Sequence, residues 1–172
     1  MDAQLAPYIR DVPDFPVQGI LFKDITPLLR DPSAFKLTVD ALAARFRDTP
    51  VDLVAAIESR GFIFGAPIAY QLGAGLVPIR KPGKLPWETR SVEYSLEYGT
   101  NTLQAHVDAV KPGARVLLVD DLLATGGSAK AAIQLIEGMG GVVVAAAFCI
   151  ELAFLHGRDR LAGYRVDSLI TF

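Results

Sequence analysis

Cysteine is nearly absent: Cys149 is the one thiol in 172 residues, so no disulfide forms within the chain. It lies in an apolar run and reads as a core thiol of a protein suited to a reducing cytoplasm, not as a nucleophile. Long hydrophobic runs are missing too. The longest, Val142 to Ile150, has nine residues before Glu151, against the roughly 20 that a membrane helix needs. The opening Met-Asp-Ala-Gln-Leu-Ala-Pro holds neither a basic nor an apolar stretch, so no secretory signal is expected. There is no excess of one charge, since 17 Lys+Arg face 19 Asp+Glu for a net −2. Such a chain lacks the basic footprint of phosphate-backbone binders, so neither nucleic acid nor membrane is expected as a partner. His106 and His156 are the only histidines; far apart in sequence, they are expected at the surface or half-buried and suggest no zinc site. A Walker-type GxxxxGK[ST] loop does not occur, Gly73-Ala-Gly75 meets Pro78 where a dinucleotide fingerprint needs its third glycine, and no GxSxG is found.

What is present is the balance of a folded domain, 51% hydrophobic, 21% charged and 9% aromatic, in a length that fits one domain over 1–172. Five of the eleven prolines fall in the first 32 residues, which predicts an irregular N-terminal segment over a core that begins near residue 31. Asp31-Pro32-Ser33 starts a helix, and Phe35, Val39, Leu42 and Phe46 share one of its faces, so a helix is predicted over about Ser33 to Asp48. Buried strands are predicted over Leu53 to Ile57, Gly75 to Ile79, Arg115 to Asp120, Val142 to Glu151 and Val166 to Thr171, with helices over Gly61 to Leu72 and Gly126 to Met139. Alternation around Val92 to Leu96 and Leu103 to Val107 predicts two half-exposed strands about a turn at Gly99-Thr100-Asn101. Arg80-Lys81-Pro82-Gly83-Lys84 reads as a mobile loop. Strands alternating with helices imply an α/β fold, a mainly parallel sheet flanked by helices, with ligands at the carboxyl ends of the strands.

The strongest signal is Val116-Leu-Leu-Val-Asp-Asp-Leu-Leu-Ala-Thr-Gly-Gly-Ser128. Backbone N–H groups of Ala124, Thr125, Gly126, Gly127 and Ser128 converge at a helix N-terminus, where the dipole favours an anion and the glycines allow close approach. Asp120 and Asp121 would repel that anion unless they face something else, either the vicinal hydroxyls of a ribose or a bound Mg²⁺.

This segment resembles the 5-phosphoribosyl 1-pyrophosphate motif of the type I phosphoribosyltransferase family. Pro13-Asp-Phe-Pro16, Gly19-Ile-Leu-Phe-Lys-Asp-Ile-Thr-Pro27, Glu58-Ser-Arg-Gly-Phe62, Arg80-Lys-Pro-Gly-Lys-Leu-Pro86 and Tyr94-Ser-Leu-Glu-Tyr-Gly99 are similar to segments of that family's adenine-specific members, in the same order. The resemblance implies the type I fold, with 1–30 as an N-terminal hood over the base site and 31–172 as the core. It implies transfer of phosphoribose to adenine, giving AMP and pyrophosphate in purine salvage, with Mg²⁺ carried mainly by the substrate's pyrophosphate and no firm protein metal ligand. By the same resemblance Asp120, Asp121 and Ala124 to Ser128 bind the phosphoribosyl group, and Ser59 and Arg60 meet the pyrophosphate. Arg80, Lys81 and Lys84 join them in that role, although such a charge run is usually a solvated face. Glu97 handles the purine's proton as the catalytic acid/base, Tyr98 helps close the mobile loop, and Leu21, Phe22 and Lys23 contact adenine. Glu93 reads as a solvent-facing glutamate, and Trp87 to Ser91 varies within the family, so no role transfers to it. The resemblance also implies a cytoplasmic homodimer. Two alternatives stay open: another purine or orotate as the base, and a regulator that senses phosphoribosyl pyrophosphate without turning it over.

Overall fold

The prolines of the first 32 residues cut the chain into short pieces, and those pieces are ordered. In the computed structural model, which describes residues 2–96 and 99–172, Asp2–Leu5 (α1) is one helical turn that continues into a 3-10 turn, Ala6–Tyr8. Arg10–Pro13 (β1) and Leu21–Asp24 (β2) then form a two-stranded antiparallel sheet, and Thr26–Arg30 (α2) follows. The expectation of an irregular segment is therefore corrected. Each of three prolines sits where a missing N–H is tolerated: Pro13 ends β1, Pro27 lies in the first turn of α2, and Pro32 opens Pro32–Ala44 (α3).

Helix α3 starts as its sequence predicts. The Asp31 carboxylate accepts the N–H groups of Ser33 and Ala34 at 2.9 and 2.8 Å, and the regular helix ends four residues short of Asp48. Leu53–Ile57 (β3), Gly61–Leu72 (α4) and Gly75–Ile79 (β4) take the predicted spans. Thr89–Leu96 (β5) pairs antiparallel with Gly99–His106 (β6). Gly99, Thr100 and Asn101 are not the turn but the start of β6, paired with Leu96, Ser95 and Tyr94. The strand reaches that far because β5 supplies partners for these residues, and farther along it Leu103 and Ala105 are buried. Arg115–Leu123 (β7) likewise outruns its predicted end at Asp120, since Val142–Glu151 (β8) supplies Ile150 and Glu151 as partners for Leu122 and Leu123. Gly127–Gly138 (α5) follows β7, and two 3-10 turns, Ala153–Leu155 and Gly157–Leu161, precede Val166–Thr171 (β9).

Five strands form a parallel sheet in the order β4-β3-β7-β8-β9. Chain connections run one way from β3 to β4 and the other way from β7 onward. The winding therefore reverses between β3 and β7, and their carboxyl ends flank the crevice that such a reversal opens. Successive strand residues point to opposite faces. Val54, Leu117 and Val119 meet α3 and α4 through Leu42, Phe64 and Ile68, whereas Ala55, Val116 and Leu118 meet Ile133 and Ile136 of α5. Alanines in β3 let α4 approach closely: a Cβ on Gly65 would stand 2.6 Å from that of Ala56. No helix among the described residues is long and apolar enough to cross a membrane.

Candidate active site

A cavity of about 440 Å³ opens at the carboxyl ends of β3 and β7. Ile57, Glu58, Ser59 and Arg60 wall it on the β3 side, and the run from Asp120 to Gly126 with Ser128 and Ala129 on the β7 side. Tyr94, Asn101 and Leu103 of the β5–β6 pair and Lys81 of the basic loop complete the wall. The fold thus brings together Ser59, Arg60, Lys81, Asp120, Asp121, Ala124, Thr125, Gly126 and Ser128 from three separated stretches of sequence. Gly127, buried as the first residue of α5, belongs to the same loop without reaching the wall.

The loop between β7 and α5 is built for backbone contact. Gly126 has φ +78°, and a Cβ there would lie 2.5 Å from the Gly157 carbonyl oxygen, so both conformation and space demand glycine. Helix α5 starts at the next residue and aims its N-terminal amides and dipole toward the cavity rim, with the Thr125 and Ser128 hydroxyls beside them.

The two acids are nearly out of water, Asp120 9% and Asp121 4% exposed. Asp120 Oδ1 accepts the Asp121 N–H at 2.9 Å. A Cβ on Gly61 would come within 2.9 Å of that same oxygen, which explains the glycine of Glu-Ser-Arg-Gly. Arg60 Nε lies 2.9 Å from Asp121 Oδ2. The contact is an ion pair set off the hydrogen-bond line, so Oδ2 has no hydrogen-bond partner among the described residues. Burial pushes both carboxyls above the usual carboxylate range. The charge of Asp121 adds to the effect at Asp120, and Arg60 pulls Asp121 part of the way back. A ligand that brings further donors or positive charge to the pair favours its ionised form.

Glu58 organises the neighbouring turn. Its Oε2 accepts from Arg80 Nε at 2.9 Å and from the Lys81 N–H at 3.0 Å. The Glu58–Ser59 peptide is cis. Arg80 exchanges both backbone hydrogen bonds with Gln104, at 2.9 and 2.7 Å, and its Nη1 donates to the Lys84 carbonyl. The basic stretch, expected to be a mobile loop throughout, is therefore anchored at its first residue. Of its three cations only Lys81 lines the cavity; Arg80 is turned to Glu58, and Lys84 is exposed.

Leu21, Phe22 and Lys23 do not line the cavity. Leu21 is exposed, while the Lys23 ammonium is turned away to Asp11 at 2.6 Å and to the Phe172 ring at 3.8 Å. Phe22 links to the site: its ring lies 5.1 Å from the Arg60 guanidinium, with Phe15 edge-on at 5.0 Å. Glu97 and Tyr98 lie outside the described residues.

Glu58, Tyr94 and Asn101 are site residues to which sequence reasoning assigned no role. Tyr94 opens the Tyr-Ser-Leu-Glu-Tyr-Gly segment, and cross-strand register sets Asn101 opposite it. Its phenol is pushed above the usual range by burial and by the charge of Asp120. Cys149 is fully buried, and its thiol is pushed up to about 12 by burial and by Asp121, so it carries no thiolate at neutral pH. His106 is half-buried, His156 and Glu93 are exposed.

A family model described as a phosphoribosyl transferase domain matches residues 28–169. An adenine phosphoribosyltransferase of Roseiflexus sp. (strain RS-1) is 59% identical over 172 residues, covering 100% of both chains. That of Nitrosococcus oceani is 57% identical over 164 residues, 95% of this chain and 96% of the other. The crystal structure of adenine phosphoribosyltransferase from Thermoanaerobacter pseudethanolicus superposes with a TM-score of 0.97 at 54% identity over 100% of both chains. That from Saccharomyces cerevisiae, complexed with D-2,5-dideoxy-2,5-imino-altritol 1,6-bisphosphate and adenine, gives 0.89 at 39% identity over 96% of each chain.

Proposed function

The chain belongs to the adenine phosphoribosyltransferases of the phosphoribosyl transferase family, and from that membership we infer that its cavity transfers the 5-phosphoribosyl group of 5-phosphoribosyl 1-pyrophosphate to adenine, giving AMP and pyrophosphate in purine salvage. The observation that carries the reading is the meeting, at one switch point, of a helix-start anion loop with two buried acids and the side chains of Arg60 and Lys81.

In this reaction the bond from the anomeric carbon to the pyrophosphate oxygen breaks, a bond to a purine nitrogen forms, and the purine gives up a proton. Positive charge develops on the ribose between the two events. The loop Ala124 to Ser128 receives the 5-phosphate, and Asp120 and Asp121 accept hydrogen bonds from the ribose hydroxyls. Those donors favour the ionised carboxylates, which then lie negative beside the developing cation without reorganising. Arg60 exchanges its contact with Asp121 for the leaving pyrophosphate, joined by Ser59 and Lys81. Arg80 reaches the leaving group through Lys81, which it helps to position by sharing Glu58, and Lys84 belongs to the same loop. Glu97 takes the proton of the purine, and Leu21, Phe22 and Lys23 belong to the hood over the base, which bears on the site through Phe22 and Arg60.

Mg²⁺ fits the site as an ion that arrives on the substrate. On the β3 side the Glu58 carboxylate is already taken by Arg80 and the Lys81 N–H, and Arg60 stands against Asp121, so an ion beside the pyrophosphate would be held chiefly by phosphate oxygens and water. When bound, it would supply neutralisation of the leaving group. A homodimer and a cytoplasmic setting belong to the same proposal. Ile63 and Tyr70 lie two turns apart on the outer face of α4, and Leu76 on β4 is exposed as well, which leaves apolar surface for a second copy to cover. A sole cysteine held as a buried thiol suits a reducing compartment.

The test is a base panel with phosphoribosyl pyrophosphate and Mg²⁺, following nucleotide and pyrophosphate together with adenine, hypoxanthine, guanine or orotate. Adenine alone is expected to give AMP and pyrophosphate in equal amounts. Turnover of another base would overturn the base assignment, and binding of phosphoribosyl pyrophosphate with no turnover would favour a sensor. In the same assay Glu97→Gln is expected to lower kcat by about 10²–10⁴-fold with phosphoribosyl pyrophosphate binding unchanged; equal loss of both would make Glu97 structural.

A further inference from the structure

The 3-10 turn Gly157–Leu161 lies directly behind the loop 124–128, on the side away from the cavity, and none of its residues lines the wall. The two meet backbone to backbone. A Cβ on Gly126 would stand 2.5 Å from the Gly157 carbonyl oxygen, and a Cβ on Gly157 would stand 2.2 Å from that of Ala124. Gly157 does not have a left-handed φ, so what its position requires is space alone. His156, just before it, has φ +53°, a conformation that a non-glycine residue keeps where its surroundings impose it.

Arg158 fixes this turn. Its Nε and Nη2 donate to the two oxygens of Glu151 at 2.6 Å each, Nη1 donates to the Val166 carbonyl at 2.9 Å, and Nη2 also reaches Ser168 Oγ at 3.0 Å. Ser168 in turn donates to Glu151. Glu151 is buried and ends β8, in register with Leu123, the residue that precedes the loop. The Leu152 N–H donates to the Leu123 carbonyl at 2.9 Å. One fork-shaped ion pair thus ties the front end of the loop to the turn that backs it. A loop of alanine, threonine and glycines has little side chain with which to fix itself, yet its amides must be aimed to within a fraction of an ångström to hold an anion.

We propose that Glu151, Gly157 and Arg158 are positioning residues for the phosphate end of the site, bracing the loop 124–128 in the shape that receives a phosphomonoester. The proposal rests on the reading of that loop as the 5-phosphate subsite.

The test separates the two ends of the substrate. Calorimetric titration with ribose 5-phosphate and, separately, with pyrophosphate is made on the full chain and on Gly157→Ala, Arg158→Ala, Arg158→Lys and Glu151→Gln, well below each melting temperature. Gly157→Ala and Arg158→Ala are expected to weaken ribose 5-phosphate about tenfold, the effect of one misaligned hydrogen bond to an anion. The KM for phosphoribosyl pyrophosphate rises in step, while pyrophosphate affinity and kcat at saturation stay within about twofold on the same scale. Arg158→Lys keeps the charge but not the fork and falls between, and it and the near-isosteric Glu151→Gln serve if Arg158→Ala fails to fold. Unchanged ribose 5-phosphate affinity, or a loss matched by pyrophosphate, would overturn the brace. An unaltered chain that binds pyrophosphate but not ribose 5-phosphate would overturn the subsite reading itself.

Discussion

Asp120 and Asp121 are held at a cost to the free protein. A carboxyl whose pKa is raised by folding binds more protons than it does in the unfolded chain, so stability falls as pH rises from the ordinary carboxylate range through the folded value. Below that range the buried Asp120 is neutral in both states and costs nothing extra. Asp120→Asn is therefore expected to raise stability at neutral pH by about 1 kcal/mol, roughly 3 °C in Tm, while abolishing phosphoribosyl pyrophosphate binding. Calorimetry between pH 4 and pH 8 checks it, and the advantage of the variant should shrink toward the acid end. At this scale the sequence was informative where chemistry is local. The Asp-Asp pair and the Ala-Thr-Gly-Gly-Ser run are neighbours in the chain, so their joint meaning was legible. The ion pair of Arg60 with Asp121 and the hold of Glu58 on Arg80 and Lys81 join residues at the carboxyl ends of different strands, and no local pattern announces them.

Elements follow their sequences closely where one face is buried and ends are marked. Asp31 accepts two orphan N–H groups of α3, with Pro32 at the first helical position. Asp31→Ala is expected to cost about 1 kcal/mol by urea unfolding, with KM and kcat unchanged, because Asp31 is not among the residues that line the cavity. The spans of β3, α4, β4 and β8 were legible for the same reason: apolar runs of fitting length closed by polar or glycine punctuation. Misread elements are those whose fate depends on a partner. Gly99 to Asn101 has turn composition and becomes strand because β5 pairs with it, β7 extends because β8 does, and Arg10–Pro13 and Leu21–Asp24 pair although prolines crowd them.

The molecule as a whole places chemistry at the point where its winding reverses. Tyr70 on α4 is 88% exposed, with Ile63 exposed two turns before it on the same face. Sedimentation equilibrium is expected to give twice the chain mass, and Tyr70→Lys to shift it toward one copy; a variant that stays paired would move the interface elsewhere. The sequence by itself determined the α/β class, the helix and strand periodicities and the anion loop with its acids, since each rests on side-chain spacing or on residues adjacent in the chain. Only the tertiary structure decided which acid meets Arg60, that Lys81 and not Arg80 or Lys84 faces the cavity, and that Gly157 and Arg158 back the phosphate loop. Those relations depend on strand order and on the distance between segments far apart in sequence, and neither is written in any local stretch of residues.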